Sequence, residues 1–317
     1  MNKILINICC WFIPKKKNKK HFREKYSHKK SIQKVIQNTT PLPQNLKTFV
    51  PNNLSFFNKE HNSQNMINLQ LSVEQLKDDE NGCGYWDRSD VFKKIPTEKT
   101  ALLICDMWDK HWSNGATLRT GNLALKINDL ANFLRKQNVL IIHSPSDCCK
   151  KYYANNQARL RASQNLNNYN DNKIVWQINK KSLPIDDTDG GSDSNNKKTE
   201  IVNDNVWQQQ HPSIIIDDEK DIIADNGKEI RSYLKLKKIE LVLFCGVHTN
   251  MCILGRNFGI YSMLERDYKT LLMEDYTDSM YNPNSPPYTS HDEGTKLVVS
   301  FIRKFVCPTA KIILPQI

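Results

Sequence analysis

Cysteine is sparse in this chain, and what there is does not come in pairs. Nine cysteines are spread unevenly over 317 residues, with no pair of Cys-x-x-Cys elements. That spacing excludes a disulfide framework and leaves a structural zinc site without its usual ligand pattern. Long apolar runs are missing too. The run near the amino end, residues 4–13, is about ten residues long, too short to span a bilayer. No small-residue cleavage site follows it, and the adjoining lysines oppose translocation. Hydrophobic residues make up only 39% of the chain, so part of it is expected not to pack. Cys105 and Cys245 sit inside apolar runs and fit a reducing compartment such as the cytoplasm.

The net charge of +11 is a local feature. Residues 1–30 hold ten basic residues against one acid, Glu24, which is +9; the remaining 35 basic and 33 acidic residues leave only +2. The folded part is therefore nearly neutral, and the overall basicity says little about a substrate. Nucleic acid is not expected as a partner, because the basic segment offers few aromatics to stack on bases.

Residues 1–95 read as a basic, Asn/Lys-rich extension. The stretch 15–80 shows no sustained period and is expected to be disordered or loosely ordered, with residues 69–76 forming at most a turn or two of helix. A domain over residues 96–317 follows, carrying a polar, Asn-rich insertion at 150–210. Within it, strands are expected at 101–105, 139–142, 214–216, 241–245, 270–273 and 311–314. Helices are expected at 123–134, 222–236, 250–266 and 296–305. Continuous Val/Ile/Leu strands alternating with helices argue for an α/β fold with a parallel sheet covered on both faces. In such sheets the ligand site lies beyond the carboxyl ends of the strands. Asp106, His143 and the turn 246–252 all fall there.

Cys252 sits where a strand turns into a helix. The free amides and the positive end of the helix dipole would lower its pKa and favour the nucleophilic thiolate. A free cysteine at such a place is equally a small buried hydrophobe. Asp106 ends an apolar strand, where an aspartate either caps the next turn or, beside a thiol, takes its proton and returns it to a leaving amine.

The segment Leu102-Leu-Ile-Cys-Asp-Met-Trp-Asp109, followed by Phe244-Cys-Gly-Val-His-Thr-Asn-Met-Cys-Ile253, resembles the isochorismatase-like cysteine hydrolase superfamily. That group includes nicotinamidases, N-carbamoylsarcosine amidohydrolase and related amidases. The resemblance covers residues 98–317, including the tail in which His291 precedes the last helix. It implies a Rossmann-like, doubly wound, six-stranded parallel sheet in the order 3-2-1-4-5-6, with helices on both faces. It implies Asp106 as the catalytic aspartate and Cys252 as the nucleophile. It also implies a cis peptide before His248, with the His248 and Cys252 amides as the oxyanion hole. The family's third residue is a lysine after strand three. Lys220 is the nearest lysine here, flanked by acids, and reads equally as a solvated surface residue. The implied activity is hydrolysis of a C–N bond in a small amide or ureido compound through a thioester, with no cofactor required. Vinyl-ether hydrolysis, which proceeds without the cysteine in its branch, is disfavoured by Cys252. The rival is a non-catalytic binding or scaffold protein that keeps the fold. A homo-oligomer is compatible with either.

Nicotinamidases hold a divalent ion through an Asp-x-His pair after strand two and a further histidine. This sequence offers His143, Asp147 and His111 instead, three N/O ligands that could hold a metal such as zinc with an open position. The run 186–191, Asp-Asp-Thr-Asp-Gly-Gly, lacks the later bidentate glutamate of an EF-hand. It is assigned to the insertion over the strand ends. Trp108, Trp112, Trp176 and Trp207 would line a pocket there or pack a lid. At the amino end, Cys9 and Cys10 beside the lysine block suggest reversible acylation together with an electrostatic contact to a membrane surface, the two signals that stable anchoring needs. Replacing Cys9 and Cys10 by serine should then lower the membrane-bound fraction on flotation, and an unchanged fraction would rule out acylation.

Overall fold

The computed structural model describes residues 65–164, 171, 183–194 and 206–313, together with Leu54 and Phe57. The extension that carries Cys9 and Cys10, and Trp176 in the insertion, lie outside the described residues. Among the described residues no helix is long and apolar enough to cross a membrane.

At the centre lie β3 (Thr100–Cys105) and β6 (Leu241–Val247), buried along their whole length. They pair in parallel, and each is a continuous apolar run because it is covered on both faces. On one side, β3 pairs with β4 (Leu140–Ser144), which pairs with the two-residue β5 (Ile222–Ile223). On the other, β6 pairs with β7 (Lys269–Asp278) and β7 with β8 (Thr309–Ile312). All of these pairings are parallel, in the spatial order β5-β4-β3-β6-β7-β8.

The period-two alternation of each strand sorts side chains to two faces. Leu103, Cys105, Val242, Phe244 and Leu272 point into one core, and Leu102, Ile104, Leu243, Cys245 and Leu271 into the other. Helix α1 (Asn114–Lys136) fills the second core with Leu123, Ile127, Leu130 and Leu134. Its first turn is capped by the Ser113 hydroxyl, which accepts from the Ala116 amide. The short helices α2 (Cys149–Tyr152) and α3 (Gln157–Ser163) follow β4. The first core is filled from α4 (Gly227–Leu236), α5 (Cys252–Gly255), α6 (Ile260–Leu264) and α7 (His291–Phe305).

The sheet has eight strands, not six. A long hairpin, β1 (Met66–Asp78) and β2 (Gly84–Pro96), adds antiparallel to the edge at β8, giving the order β2-β1-β8-β7-β6-β3-β4-β5. Residues 69–76 are therefore strand rather than a helical turn, and residues 66–96 belong to the sheet rather than to an unpacked extension. The physical reason is a burial that alternates by two: Ile67, Leu69, Leu71 and Val73 are all buried. The third strand is also elsewhere than expected, at Ile222–Ile223 and not at 214–216. The helix expected over 250–266 is broken into α5 and α6.

The hairpin is tied down by charge. Arg303 on α7 donates to Glu74 on β1 (2.7 Å) and to Glu274 on β7 (2.6 Å), with all three side chains no more than 10% exposed. Two buried carboxylates share this guanidinium, with Lys304 3.3 Å from Glu74 and Lys311 3.5 Å from Glu274 as further cations, and Arg303→Met should destabilise the fold by about 3–5 kcal/mol, read as a lowered urea midpoint. A change below about 0.5 kcal/mol, as for a surface substitution, would show that the hairpin is held by backbone pairing alone.

Candidate active site

The carboxyl ends of β3, β4 and β6 meet at one carboxylate. Asp106 follows β3 directly and has a left-handed backbone, φ 47°, a conformation that aspartate tolerates better than most residues. Its side chain is fully buried. One oxygen, Oδ1, accepts from the Ser146 amide just after β4 (2.8 Å), and the other, Oδ2, from Arg256 Nε (2.9 Å). The Cys252 thiol faces the same carboxylate, and the two groups interact electrostatically. The expected pair of Cys252 and Asp106 is thus in contact.

Gly246 makes this meeting possible. Its φ is +108°, and a Cβ there would lie 2.1 Å from the carbonyl oxygen of Cys105. Only glycine lets the end of β6 come so close to the backbone that precedes Asp106. The chain then passes through a cis peptide between Val247 and His248 to Cys252, the first residue of α5. The His248 backbone works to lower the Cys252 thiol pKa. As the first residue of its helix, Cys252 has an amide with no carbonyl acceptor inside that helix.

The cation beside Asp106 is not the expected one. Lys220 is 66% exposed and lies 3.9 Å from Asp217, so it is a surface lysine among acids and is no part of this cluster. Arg256 takes the position instead. It caps the carboxyl end of α5 with an extended backbone (ψ 156°), which ends the helix one turn after Cys252. Its signal in the sequence was a basic residue four positions after the cysteine, one helical turn away.

Electrostatics set the resting protonation. Burial pushes the Cys252 thiol up to about 12, and the Asp106 charge adds to this while Arg256 works against it. Burial therefore works against the thiolate expected at a helix start. Burial also raises Asp106, against the pull of Arg256 and the Ser146 amide. Burial lowers His111 to about 4, with Arg119 adding to it, and lowers His248 to about 3, with His111 adding to it. Both histidines are neutral at neutral pH.

Aromatic rings continue from the charged trio. The Arg256 guanidinium lies over Trp108 at 5.9 Å, and Trp108 stacks on Trp207 at 4.3 Å. Trp207 lies against His111 (5.8 Å), which meets His248 edge to face at 5.0 Å. The contacts run from Cys252 through His248, His111, Trp207, Trp108, Arg256 and Asp106 back to Cys252. Within this ring His248 Nε2 and Trp207 Nε1 are buried with no hydrogen-bond partner among the described residues. Buried polar atoms without partners are uncommon and cost stability.

The segment 183–194 packs on the cysteine turn. Asp187 accepts from Asn250 (2.7 Å), and Asp189 accepts from the Gly191 amide and Asn282 (both 2.8 Å). These carboxylates fix loops to one another, in keeping with an insertion at the strand ends and not with a calcium loop. Beside them, Arg119 bridges Asp193 and Asp278, and Asp278 accepts from His291 Nε2 at 2.9 Å.

The three residues expected to hold a metal are not assembled. Both ring nitrogens of the buried His143 are engaged, Nδ1 with Gln210 (3.0 Å) and Nε2 with Asp221 (2.9 Å). His111 accepts from the Ser113 amide through Nδ1, and Asp147 is an exposed residue whose amide donates to Asp225. Among the described residues no group of three His, Cys, Asp or Glu side chains is placed to hold an ion. The donor set does not fit the expected metal, and no step is routed through one.

Several solved structures are similar to this chain. A cysteine hydrolase from Pseudomonas syringae pv. phaseolicola 1448A matches at 15% identity over 68% of this chain and 89% of its own, with a TM-score of 0.39. An isochorismatase from Pseudomonas putida KT2440 matches at 11% identity over 68% and 89%, with a TM-score of 0.37. An isochorismatase family protein from Desulfovibrio vulgaris subsp. vulgaris str. Hildenborough matches at 12% identity over 65% and 90%, with a TM-score of 0.32. No family model and no curated protein matches.

The geometry separates the two cations experimentally. Alkylation of Cys252 by iodoacetamide should be slow at neutral pH and should climb steadily toward pH 12. Lys220→Met should give a superimposable curve. Arg256→Met removes the one positive charge on Asp106, and the rate at any fixed pH should fall about tenfold or more, since a neighbouring charge moves a pKa by about one to three pH units. A Lys220→Met curve that shifts while the Arg256→Met curve does not would reverse the assignment.

Proposed function

We propose that this chain is a cysteine-dependent hydrolase that cleaves a C–N bond of a small amide or ureido compound. The observation that carries the reading is the shared carboxylate: Arg256 holds one oxygen of Asp106 at 2.9 Å, and the Cys252 thiol interacts with the same group. A thiol with a base in contact, and a base oriented by a third group, is the arrangement nucleophilic catalysis requires.

In the proposed reaction the Cys252 sulfur attacks the substrate carbonyl as its proton passes to Asp106. The C–S bond forms, and the carbonyl electron pair moves onto oxygen. The amides of His248 and Cys252 are the proposed donors to that oxyanion. Collapse breaks the C–N bond, and ammonia or an amine leaves with the proton from Asp106, which gives a thioester. Asp106 then takes a proton from water, the resulting hydroxide attacks the thioester, and the acid departs as the sulfur recovers the proton.

A second reading has one observation in its favour. The resting thiol is protonated up to about pH 12, as in a structural cysteine, which suits a non-catalytic binding or scaffold protein. Ammonia release across a panel of small amides and ureido compounds tests the choice. Cys252→Ala and Asp106→Asn should each lose about a thousandfold or more of the turnover, since residues acting as one unit fail together. A Cys252→Ala protein that turns over like the parent would end the hydrolase reading.

A further inference from the structure

The turn that begins at Arg256 is held from behind. The Gly259 amide donates to the Arg256 carbonyl at 2.8 Å and closes it, with Asn257 as the second residue. The Asn257 side-chain oxygen accepts from the Gly227 amide at the start of α4 (2.8 Å). Its carbonyl accepts from the Ser262 hydroxyl (2.7 Å) and from Arg231 Nη1 (2.7 Å). A Cβ on residue 227 would lie 2.0 Å from that same carbonyl oxygen, so α4 and the turn meet backbone to backbone. Arg231, only 3% exposed, is held in turn by the insertion: it gives Nε and Nη2 to the two oxygens of Asp171 (2.8 and 2.6 Å). Arg266 Nε donates to the same carboxylate (2.8 Å) and also lies 3.5 Å from Glu265. Among the described residues Asp171 is the one carboxylate within ion-pair distance of Arg231. Burial opposes the charge on Asp171, but the hydrogen bonds from Arg231 and Arg266 outweigh it and hold its pKa down to about 2.

Neither Arg231 nor Arg266 bonds to Cys252, Asp106 or the Arg256 side chain. What they fix is the residue after Arg256. That matters because Arg256 leaves α5 in an extended conformation (ψ 156°), so the direction of its backbone is set by where the next peptide is held. We infer that Asp171, Arg231 and Arg266 form a clamp through which the insertion positions Arg256 on Asp106, coupling the docking of the insertion to the electrostatics of Cys252. The inference rests on the reading of Arg256 as the cation of the site. Arg231 is then a positioning residue, which acts on Asp106 only through Asn257 and Arg256. Without the Asp171 charge, Arg231 keeps a buried charge that lacks its counter-ion. It would turn away from the Asn257 carbonyl, the turn would relax, and Arg256 would move off Asp106.

Iodoacetamide labelling of Cys252, read by peptide mass spectrometry, tests the clamp without any substrate. Asp171→Asn keeps the side-chain shape and removes only the charge, on a residue 21% exposed. As Arg256 moves off, the sulfur loses the cation that favours its thiolate. The rate at a fixed alkaline pH should therefore fall about threefold or more, the size of coupling within one network. The exposed Cys83 in the same protein should label as before. Arg231→Gln should act in the same direction, and Asp171→Asn carries the test alone if that variant does not fold. In an Arg256→Met background neither change should slow labelling further, because the clamp has nothing left to position. A merely structural role predicts the opposite sign, since a loosened fold uncovers Cys252 and speeds its labelling. Faster labelling, an unchanged rate, or an equal further fall in the Arg256→Met background would overturn the clamp and leave the trio standing. An Arg256→Met curve that coincides with the parent's would overturn the clamp and the role of Arg256 together.

Discussion

A carboxylate with no exposed surface is the constraint around which this molecule is arranged. An ionised group buried without partners is too costly to keep, so Asp106 must be hydrogen-bonded and charge-paired where it stands. Its partners come from three separate pieces of chain: the Ser146 amide beyond β4, the Arg256 guanidinium beyond α5, and the Cys252 thiol at the start of that helix. Each requirement propagates outward. The Ser146 amide is in place because β4 runs parallel to β3. The thiol is in place because Gly246 lets β6 close on Cys105. Arg256 is in place because α5 stops after four residues. A longer helix would carry the arginine backbone onward in helical geometry instead of the extended conformation it adopts.

Around this point the polar groups divide into two kinds. Two clusters away from the sulfur are closed networks. His143, Asp221, Arg135 and Gln210 satisfy one another behind β4, and Arg119, Asp193, Asp278 and His291 do so between α1, the segment 183–194 and α7. Burial opposes the charged form of His291, but the Asp278 hydrogen bond and charge outweigh it and raise its pKa. The stability this pair contributes is therefore full below the ordinary histidine value near 6.5 and is lost as pH rises through the raised value. Those facing the sulfur are open by comparison: the tip of Arg256, His248 Nε2 and Trp207 Nε1 lack partners among the described residues. Closed networks hold loops, while open donors are what a ligand can use.

The central strands and the two motif residues were legible because their physics is local. Buried parallel strands are continuous apolar runs, and β3 and β6 read that way without help. What was missed depended on contacts distant in sequence, or on a period that was present but overlooked. Ile67, Leu69, Leu71 and Val73 alternate plainly, yet the polar residues between them made the stretch read as unpacked. Residues 214–216 and 222–223 are both isoleucine runs. The backbone pairing of Ile222–Ile223 with β4 and the contacts of Asp221 with His143 and Arg135 single out the second one, and no sequence pattern announces them. Lys220 was chosen for its place after the third strand, but its neighbours are acids and it faces solvent. Arg256 stands one helical turn after Cys252 and is beside Asp106 in space though 150 residues from it along the chain.

The raised thiol need not argue against chemistry once charge is counted over the trio rather than residue by residue. With the thiol neutral and Asp106 ionised beside Arg256, the buried group sums to zero. Losing the thiol proton to solvent would leave a net negative charge in a poorly solvated site, which is why the thiol alone titrates near 12. Passing the same proton to Asp106 keeps the sum at zero, with a thiolate, a neutral acid and the same arginine. The neutral histidines nearby leave that sum unchanged. Proton transfer inside the trio is thus far less costly than ionisation to water, and it becomes favourable only when a carbonyl carbon is there to take the sulfur's electrons. In the proposed reaction the site is quiet until substrate arrives, and the Arg256 charge opposes the burial that raises Asp106, favouring the carboxylate form that acts as the base.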